Sequence, residues 1–180
     1  MRMREVDEGW LCAECGRMHE GLITCFGPDE PYAWHRATLG ARLRGRLKRS
    51  MCRVSVDGDT RFYARGHLHI PLTGHPEPSF VWNVWVEVRP EDADRIERHW
   101  YDQARVPLPR IEAILETPLP YDPTTSGLPV ELHERPPGEV PQVTVTAVPN
   151  HPLQREQQAG IDLHRLADLN GRVLADPGID

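Results

Sequence analysis

Phe80 to Val88 reads FVWNVWVEV, and this stretch predicts the strand around which the fold is built. Apolar side chains occupy every second position from Phe80, whereas Asn83, Trp85 and Glu87 fall among the positions between them. Since successive side chains of a β-strand point to opposite faces, one face of this strand is predicted to be core. On the other face, Trp85 is predicted either to pack under a helix or to form the floor of a cleft, and packing is the preferred interpretation.

Short strands and helices are predicted on either side of this strand. The alternation within residues 52–72 predicts three short strands, with a hairpin turn at Asp57-Gly58-Asp59 and a bulge at Arg65-Gly66. Helices are predicted at about 34–50, 90–103 and 150–169, the last with a break near Gly160. The predicted fold class is therefore α+β, with a zinc-knuckle-like N-terminus and a mainly antiparallel sheet carrying about three packed helices.

The first predicted helix is basic and amphipathic. Leu39, Leu43 and Leu47 recur every four residues, and arginines fill the other faces. We interpret these arginines as a solvated face, with an anion- or partner-binding surface as the alternative.

A length of 180 residues is typical of one domain that buries its own core. We expect a single domain over residues 1–180, in which residues 8–30 form a metal-knuckle segment and residues 175–180 a frayed tail. The 18 prolines favour short strands and ordered loops over long helices.

Charge and hydropathy restrict the partners. The net charge of −6 argues against a dedicated nucleic-acid binder, whose affinity would depend on a basic face. No stretch approaches the roughly 18 apolar residues of a membrane span, and the charged N-terminus does not match a secretory signal. The sequence therefore predicts a cytoplasmic protein with no membrane partner. In that reducing compartment the four cysteines are expected to be free or metal-bound.

The stretch WLCAECGRMH, residues 10–19, predicts a metal site. Cys12 and Cys15 lie three positions apart before a glycine, a spacing that lets two thiolates share one tetrahedral ion. Zinc is the default ion for such a site, and here a structural zinc is expected. Because no second Cys-x-x-Cys pair follows, our preferred ligand set is Cys12, Cys15 and Cys52, with His19 or Cys25 as the fourth ligand. Three ligands with a water would instead indicate catalytic zinc, and reduced thiols or a redox pair are further alternatives.

Catalytic motifs of known type are absent. The sequence contains no phosphate loop, nucleophile elbow or dinucleotide-binding glycine pattern. His151, Glu156 and Gln157 cluster at a predicted helix start, although His151 and Glu156 there also suit the helix end itself. His67 and His69 share one strand face, which we interpret as the wet face of the sheet.

Several stretches occur together in a recognisable order: Cys12 to His19 (CAECGRMH), Cys52, Phe62 to Gly66 (FYARG), Val81 to Val88 (VWNVWVEV), Leu119 to Thr124 (LPYDPT) and His151 to Ile161 (HPLQREQQAGI). This set resembles an uncharacterised bacterial family catalogued as domain of unknown function twenty-one ninety-nine. The resemblance implies a single domain with a metal-knuckle start and no established activity. The sequence departs from the family pattern near Met51, where an aspartate is expected, at Asn83, where a glycine is expected, and at Glu87, where a serine is expected.

Five matching polar or aromatic positions are our candidates for a ligand pocket: Arg65, Trp85, His151, Glu156 and Gln157. The first functional hypothesis is a non-catalytic, zinc-binding cytosolic protein that binds an unknown protein partner or small-molecule ligand. The alternative is a zinc-dependent or acid–base enzyme with a pocket around Arg65, His151 and Glu156. The enzyme would need these three side chains to converge in one concave pocket, or the metal to keep an open position.

Overall fold

The computed structural model describes residues 5–6, 10–11, 15–16, 18–19, 21–74 and 79–175. Within these ranges the strands are β1 (Glu5–Val6), β2 (Trp10–Leu11), β3 (Met18–His19), β4 (Leu22–Ile23), β5 (Cys25–Phe26), β6 (Arg46–Leu47), β7 (Met51–Val56), β8 (Asp59–Pro71), β9 (Ser79–Val88), β10 (Ile111–Leu115), β11 (Pro129–His133) and β12 (Gln142–Val145). The helices are α1 (Tyr32–Arg36), α2 (Leu39–Arg44), α3 (Pro90–Arg98), α4 (Pro152–Ala159) and α5 (Leu163–Ala175). Cys12, the side chain of His19 and tail residues 176–180 lie outside the described part of the chain.

Strands β8 to β12 form a closed five-stranded barrel. Each pairs antiparallel with the next, and an odd number of alternating strands leaves the first and last pointing the same way. Strand β12 accordingly closes the barrel by pairing parallel to β8, where Gln142 lies opposite His67. Strands β7 and β6 extend the sheet from β8, and β5 adds to β9 in parallel. The fold is α+β, as predicted, with a sheet that is mixed and partly closed and with five helices.

The predicted core face of β9 is confirmed. Phe80, Trp82, Val84 and Val86 are fully buried inside the barrel, where they pack against the inward residues of the other strands. The two aromatic residues Phe80 and Trp82 meet edge to face with ring centroids 4.6 Å apart. This strand therefore organises the interior, as its alternation indicates.

The predicted hairpin in residues 52–72 is confirmed, since β7 pairs antiparallel with β8 across the turn at Asp57-Gly58, but the bulge at Arg65-Gly66 and the division into three short strands are wrong. Strand β8 runs unbroken and pairs with β9 residue by residue from Phe62 opposite Val88 to Pro71 opposite Ser79. Gly66 faces the barrel interior, where a Cβ atom would lie 2.2 Å from Cγ2 of Val143 in β12. The glycine thus permits close approach of the strand that closes the barrel.

Trp85 packs under a helix, the preferred interpretation. It is fully buried on the outer face of the sheet, in a cluster with Cys52, Tyr63 and alanines of α1 and α2. The single helix predicted at 34–50 is wrong: two short helices are followed by strand β6. The predicted leucine stripe is not the buried face either, because Leu39 and Leu43 are 69% and 78% exposed. Small alanines fill the helix contact instead, since the helices lie close against the tryptophan.

The remaining helices pack around the barrel. The helix predicted at 90–103 ends at Arg98. The break predicted near Gly160 is confirmed, since this residue ends α4 with a φ of +81°, which favours glycine. Helix α4 packs against β8 and β12. Among the described residues, no helix is long and apolar enough to cross a membrane.

Candidate functional site

A cleft with a volume of about 640 Å³ opens on the outer face of the sheet beside Arg65. We call it the Arg65 cleft. Four parts of the chain line it: Lys48, Arg49 and Ser50 after β6, with Met51 at the start of β7; Arg65, His67 and Asn83 on the sheet; Glu97, Trp100 and Tyr101 at the end of α3 and just after it; and Gly138 and Val140 before β12. One of these four parts is therefore sheet, and the other three are turns or the end of a helix.

Arg65 is held rigidly at the inner wall of the cleft. It lies opposite Trp85 in the β8–β9 pairing, and its guanidinium carbon lies 4.9 Å from the centre of the indole ring. The Nη2 atom of Arg65 donates to the carbonyl oxygens of Pro28 at 3.1 Å and of Asp29 at 2.5 Å. The Pro28 carbonyl also accepts from Nε1 of Trp85 at 3.2 Å. The sheet and the loop at residues 28–29 thus fix the guanidinium together.

The charge of Arg65 is buried with little compensation. The residue is only 6% exposed, and burial lowers the pKa of its guanidinium despite the nearby Asp29. The Asp29 carboxylate lies 3.5 Å from Nη2, but its side chain is 85% exposed. Nε is buried and has no acceptor among the described residues. A buried charge with an unmet donor is costly unless another group compensates it.

The other charges of the cleft leave it positive. Lys48 is neutralised by Glu97, whose Oε1 accepts from Nζ at 2.8 Å. Arg49 is exposed and makes no ion pair with a described carboxylate. His67 is neutral at pH 7, because burial first, and then the neighbouring His69 and arginines, lower its pKa to about 4. Arg65 and Arg49 therefore carry the net charge of this surface.

The opposite wall is built on a buried ion pair that the sequence does not indicate. Arg105 and Glu134 bond to each other with side chains 0% and 1% exposed. Nη1 of Arg105 also donates to the carbonyls of Trp100 at 3.0 Å and Glu139 at 3.2 Å, and its guanidinium lies 5.0 Å from the Trp100 ring. The Gly138 amide donates to the same Trp100 carbonyl at 2.8 Å. Arg105 thus holds both turns of this wall together.

The other three pocket candidates lie on or just before α4 and do not line the Arg65 cleft. His151 caps the helix: Nδ1 accepts from the Leu153 amide at 3.1 Å, and Nε2 donates to the Pro123 carbonyl at 3.0 Å. Gln157 bonds both ways to the backbone of β12, accepting from Val145 and donating to Val143 at 2.8 Å each. These contacts fasten α4 to the barrel.

Glu156 belongs to a network that joins α4, α5 and the loop after β10. Its Oε2 accepts from the Tyr121 hydroxyl at 2.6 Å, and its Oε1 accepts from Nε of Arg165 at 2.7 Å. Arg165 also lies over the Tyr121 ring, 5.5 Å from its centre, and pairs with Asp168. Burial and the adjacent Glu156 carboxylate raise the pKa of Tyr121, so its hydroxyl remains a donor.

The cysteines predicted as zinc ligands occupy different environments. Cys15 is exposed in the turn between β2 and β3, Cys25 is half-buried in β5, and Cys52 is buried in β7. Burial raises the pKa of the Cys52 thiol to about 12. Among the described residues, no three His, Cys, Asp or Glu side chains are placed to hold a metal ion. The predicted ligand set, which needs Cys12, therefore stays a prediction.

Of the five pocket candidates only Arg65 lines this cleft, since Trp85 is fully buried beneath the Arg65 guanidinium, and the sequence did not indicate most of the other lining residues. Lys48 and Arg49 carried one usable signal, because two cations stand together beside a serine that suits a turn. Nothing local marks Trp100, Gly138 and Val140 as neighbours of Arg65, since they come from turns remote in sequence.

The fold and the cleft together define an α+β protein built on a five-stranded barrel with a basic cleft on its outer face. This chain belongs to the family DUF2199, described as an uncharacterized protein conserved in bacteria, whose family model matches residues 11–161. No curated protein and no solved structure matches the chain.

Proposed function

We propose that this protein is a cytosolic, non-catalytic binding protein whose small-molecule ligand occupies the Arg65 cleft. The observation that carries this proposal is the buried Arg65 guanidinium, held on a rigid sheet in the wall of a cleft of about 640 Å³. Ligand sites are commonly concave and preformed, with a few fixed polar groups among apolar walls. Met51, Trp100 and Val140 supply such apolar surface here.

The enzyme alternative lacks the same support. It required either Arg65, His151 and Glu156 in one pocket or an open position on a bound metal, and of these three residues only Arg65 lines the cleft. The His151 ring bonds through both nitrogens to the backbone, and both Glu156 oxygens bond to other side chains. These groups stabilise the fold, and we therefore propose binding without catalysis.

The proposal predicts where small molecules bind. Titrating the protein with a panel of small aromatic fragments should shift backbone amide resonances of residues 48–51, 65–67, 83 and 138–140 in NMR spectra. Val140→Trp places a large ring in the cleft and should abolish these shifts. The matched control is Ile114→Trp, since Ile114 is also partly exposed and lines a separate cavity of about 580 Å³. Fragments that bind Val140→Trp unchanged would contradict the proposal.

We further propose that the N-terminal segment holds a structural zinc ion. The support is the Cys12-x-x-Cys15 spacing together with the pairing of β2 with β3, which brackets residues 12–17 and sets Trp10 opposite His19. The proposed ligand set is Cys12, Cys15 and Cys52, with His19 or Cys25 as the fourth ligand. The cluster around Cys52 is largely apolar, whereas Cys25 lies in a short edge pairing.

Metal analysis tests the zinc proposal directly. Purified protein should contain about one zinc per chain, and Cys12→Ser should lose it, because a tetrahedral site with a missing thiolate binds far more weakly. Cys52→Ala should also lose zinc, and Cys25→Ser and His19→Ala then identify the fourth ligand by which of them loses it. Protein purified without chelators that contains no stoichiometric metal would refute the proposal.

A further inference from the structure

We infer that the ligand of the Arg65 cleft is a small organic anion, whose carboxylate or phosphate group lies against the Arg65 guanidinium. This inference rests on the proposed function and names its ligand class. A guanidinium carries five N–H donors, and the hydrogen bonds of Nη2 to Pro28 and Asp29 use only part of them. Both acceptors are neutral carbonyl oxygens, so they satisfy donors without neutralising the charge.

Among the described residues, the buried Arg65 guanidinium has no buried counterion. Its one carboxylate partner, Asp29, is 85% exposed and lies at 3.5 Å, a distance typical of a loose, solvent-screened pair. Glu97, which also lines the cleft, bonds to Lys48 at 2.8 Å and lies 3.9 Å from Arg46. A bound anion would provide the compensation that the fold itself leaves incomplete, and charge-assisted bonds from Arg to an oxyanion are among the stronger hydrogen bonds in proteins.

The surroundings favour attraction of an anion despite the acidic chain. The net charge of the protein is −6, yet the cleft is lined by Lys48, Arg49 and Arg65 against one carboxylate, Glu97. Charge of one sign in a low-dielectric cleft focuses the field and concentrates ligands of the opposite sign. The cleft is therefore positively charged although the protein as a whole is negatively charged.

The other lining residues favour a ligand that has an apolar part beside its anionic group. Met51, Trp100, Tyr101 and Val140 line the cleft with Arg65. An inorganic anion alone would leave this surface in water, whereas an organic anion would bury it and gain roughly 25 cal/mol per Å². The geometry thus favours a ligand with an anionic end and a compact apolar or aromatic part.

Asp29 is expected to compete with the ligand. Its carboxylate is the only acidic side chain paired with Arg65 among the described residues, and its loop is tied to Arg65 through backbone carbonyls that a side-chain change leaves in place. Asp29→Asn should therefore raise the affinity for an anion severalfold without disturbing the Arg65 position.

Calorimetric titration and amide NMR with matched fragments test the ligand class. The probes are benzoate and phenyl phosphate, their neutral relative benzamide, the cation benzamidine, and inorganic phosphate. We expect benzoate or phenyl phosphate to bind in the cleft about tenfold more tightly than benzamide, which corresponds to roughly 1.4 kcal/mol. Arg65→Gln should remove this preference, and Asp29→Asn should strengthen it while leaving benzamide affinity unchanged.

Each outcome has a defined meaning. Benzamide or benzamidine binding in the cleft as tightly as the anions would overturn the ligand class and leave the proposed function standing. No binding of any fragment in the cleft would instead refute the proposed function. The comparison of anionic and neutral probes is made on the unaltered protein, so it tests the ligand class even if Arg65→Gln does not fold. The carboxylate and phosphate probes distinguish the two kinds of anion.

Discussion

Arg105→Met is expected to lower the free energy of unfolding by about 3–5 kcal/mol, because it leaves a buried carboxylate without its charged partner. The Arg105 and Glu134 side chains are 0% and 1% exposed, Glu134 Oε2 accepts both hydrogen bonds from Arg105, and Glu134 Oε1 has no hydrogen-bond partner among the described residues. Methionine fills similar space but cannot donate to Glu134, nor to the carbonyls of Trp100 and Glu139. Urea denaturation of the purified variant measures the loss.

Two further variants separate charge from packing. Arg105→Met combined with Glu134→Leu should recover part of the loss, since an apolar pair of similar volume often replaces a buried ion pair at little cost. Arg135→Met removes an exposed pair with Glu139, whose side chains are 36% and 45% exposed, and should cost below about 1 kcal/mol. An Arg105→Met variant that is as stable as the Arg135→Met control would show that the buried pair contributes nothing to stability.

The same substitution should affect ligand binding through the cleft wall. Arg105 joins the Trp100 turn to Glu139, and Gly138 bonds to the same Trp100 carbonyl. Releasing these bonds loosens two of the turns that line the Arg65 cleft, although Arg105 itself does not line it. The expected result is weaker fragment binding at temperatures where the variant is still folded.

The contrast between strand β9 and the closure of the barrel shows what the sequence could predict. The inward and outward faces of β9 follow from local alternation, and the position of Trp85 under a helix follows from the same pattern. Closure of the barrel depends on one parallel pairing, Gln142 opposite His67, between strands far apart in the chain. No local period encodes such a contact, and Gly66, which permits it, carries the same local signal as a bulge.

The candidate site divides in the same way. Arg65 and Trp85 were both candidates as matching positions of family motifs, and the β8–β9 register brings them opposite each other, although only Arg65 lines the cleft. His151, Glu156 and Gln157 belong to an equally distinctive motif, yet their partners are the backbone of β12, the loop at Pro123 and the side chains of Tyr121 and Arg165. A polar motif looks the same in sequence whether it binds a ligand or fastens a helix.

Glu156→Ala is expected to lower the free energy of unfolding by about 2–3 kcal/mol without changing fragment affinity in the Arg65 cleft. The substitution removes the acceptor of the Tyr121 hydroxyl, which lies in a buried residue, and one of two carboxylate partners of Arg165. Asp168 still pairs with Arg165, so the loss should be smaller than for Arg105→Met. Thermal denaturation and fragment titration of the same sample measure the two effects together.

Tyr121→Phe is the matched control, because it deletes only the hydroxyl and should cost about 1 kcal/mol. In the double variant the loss in unfolding free energy should be smaller than the sum of the two single losses, since both substitutions remove the same hydrogen bond. A glutamate that served a ligand or a reaction would behave differently: its removal would weaken binding or activity while leaving stability nearly intact. That result would return Glu156 to the functional site and reopen the acid–base alternative. Loss of stability with unchanged cleft affinity would instead assign the HPLQREQQAGI motif to the fold and leave ligand binding to Arg65.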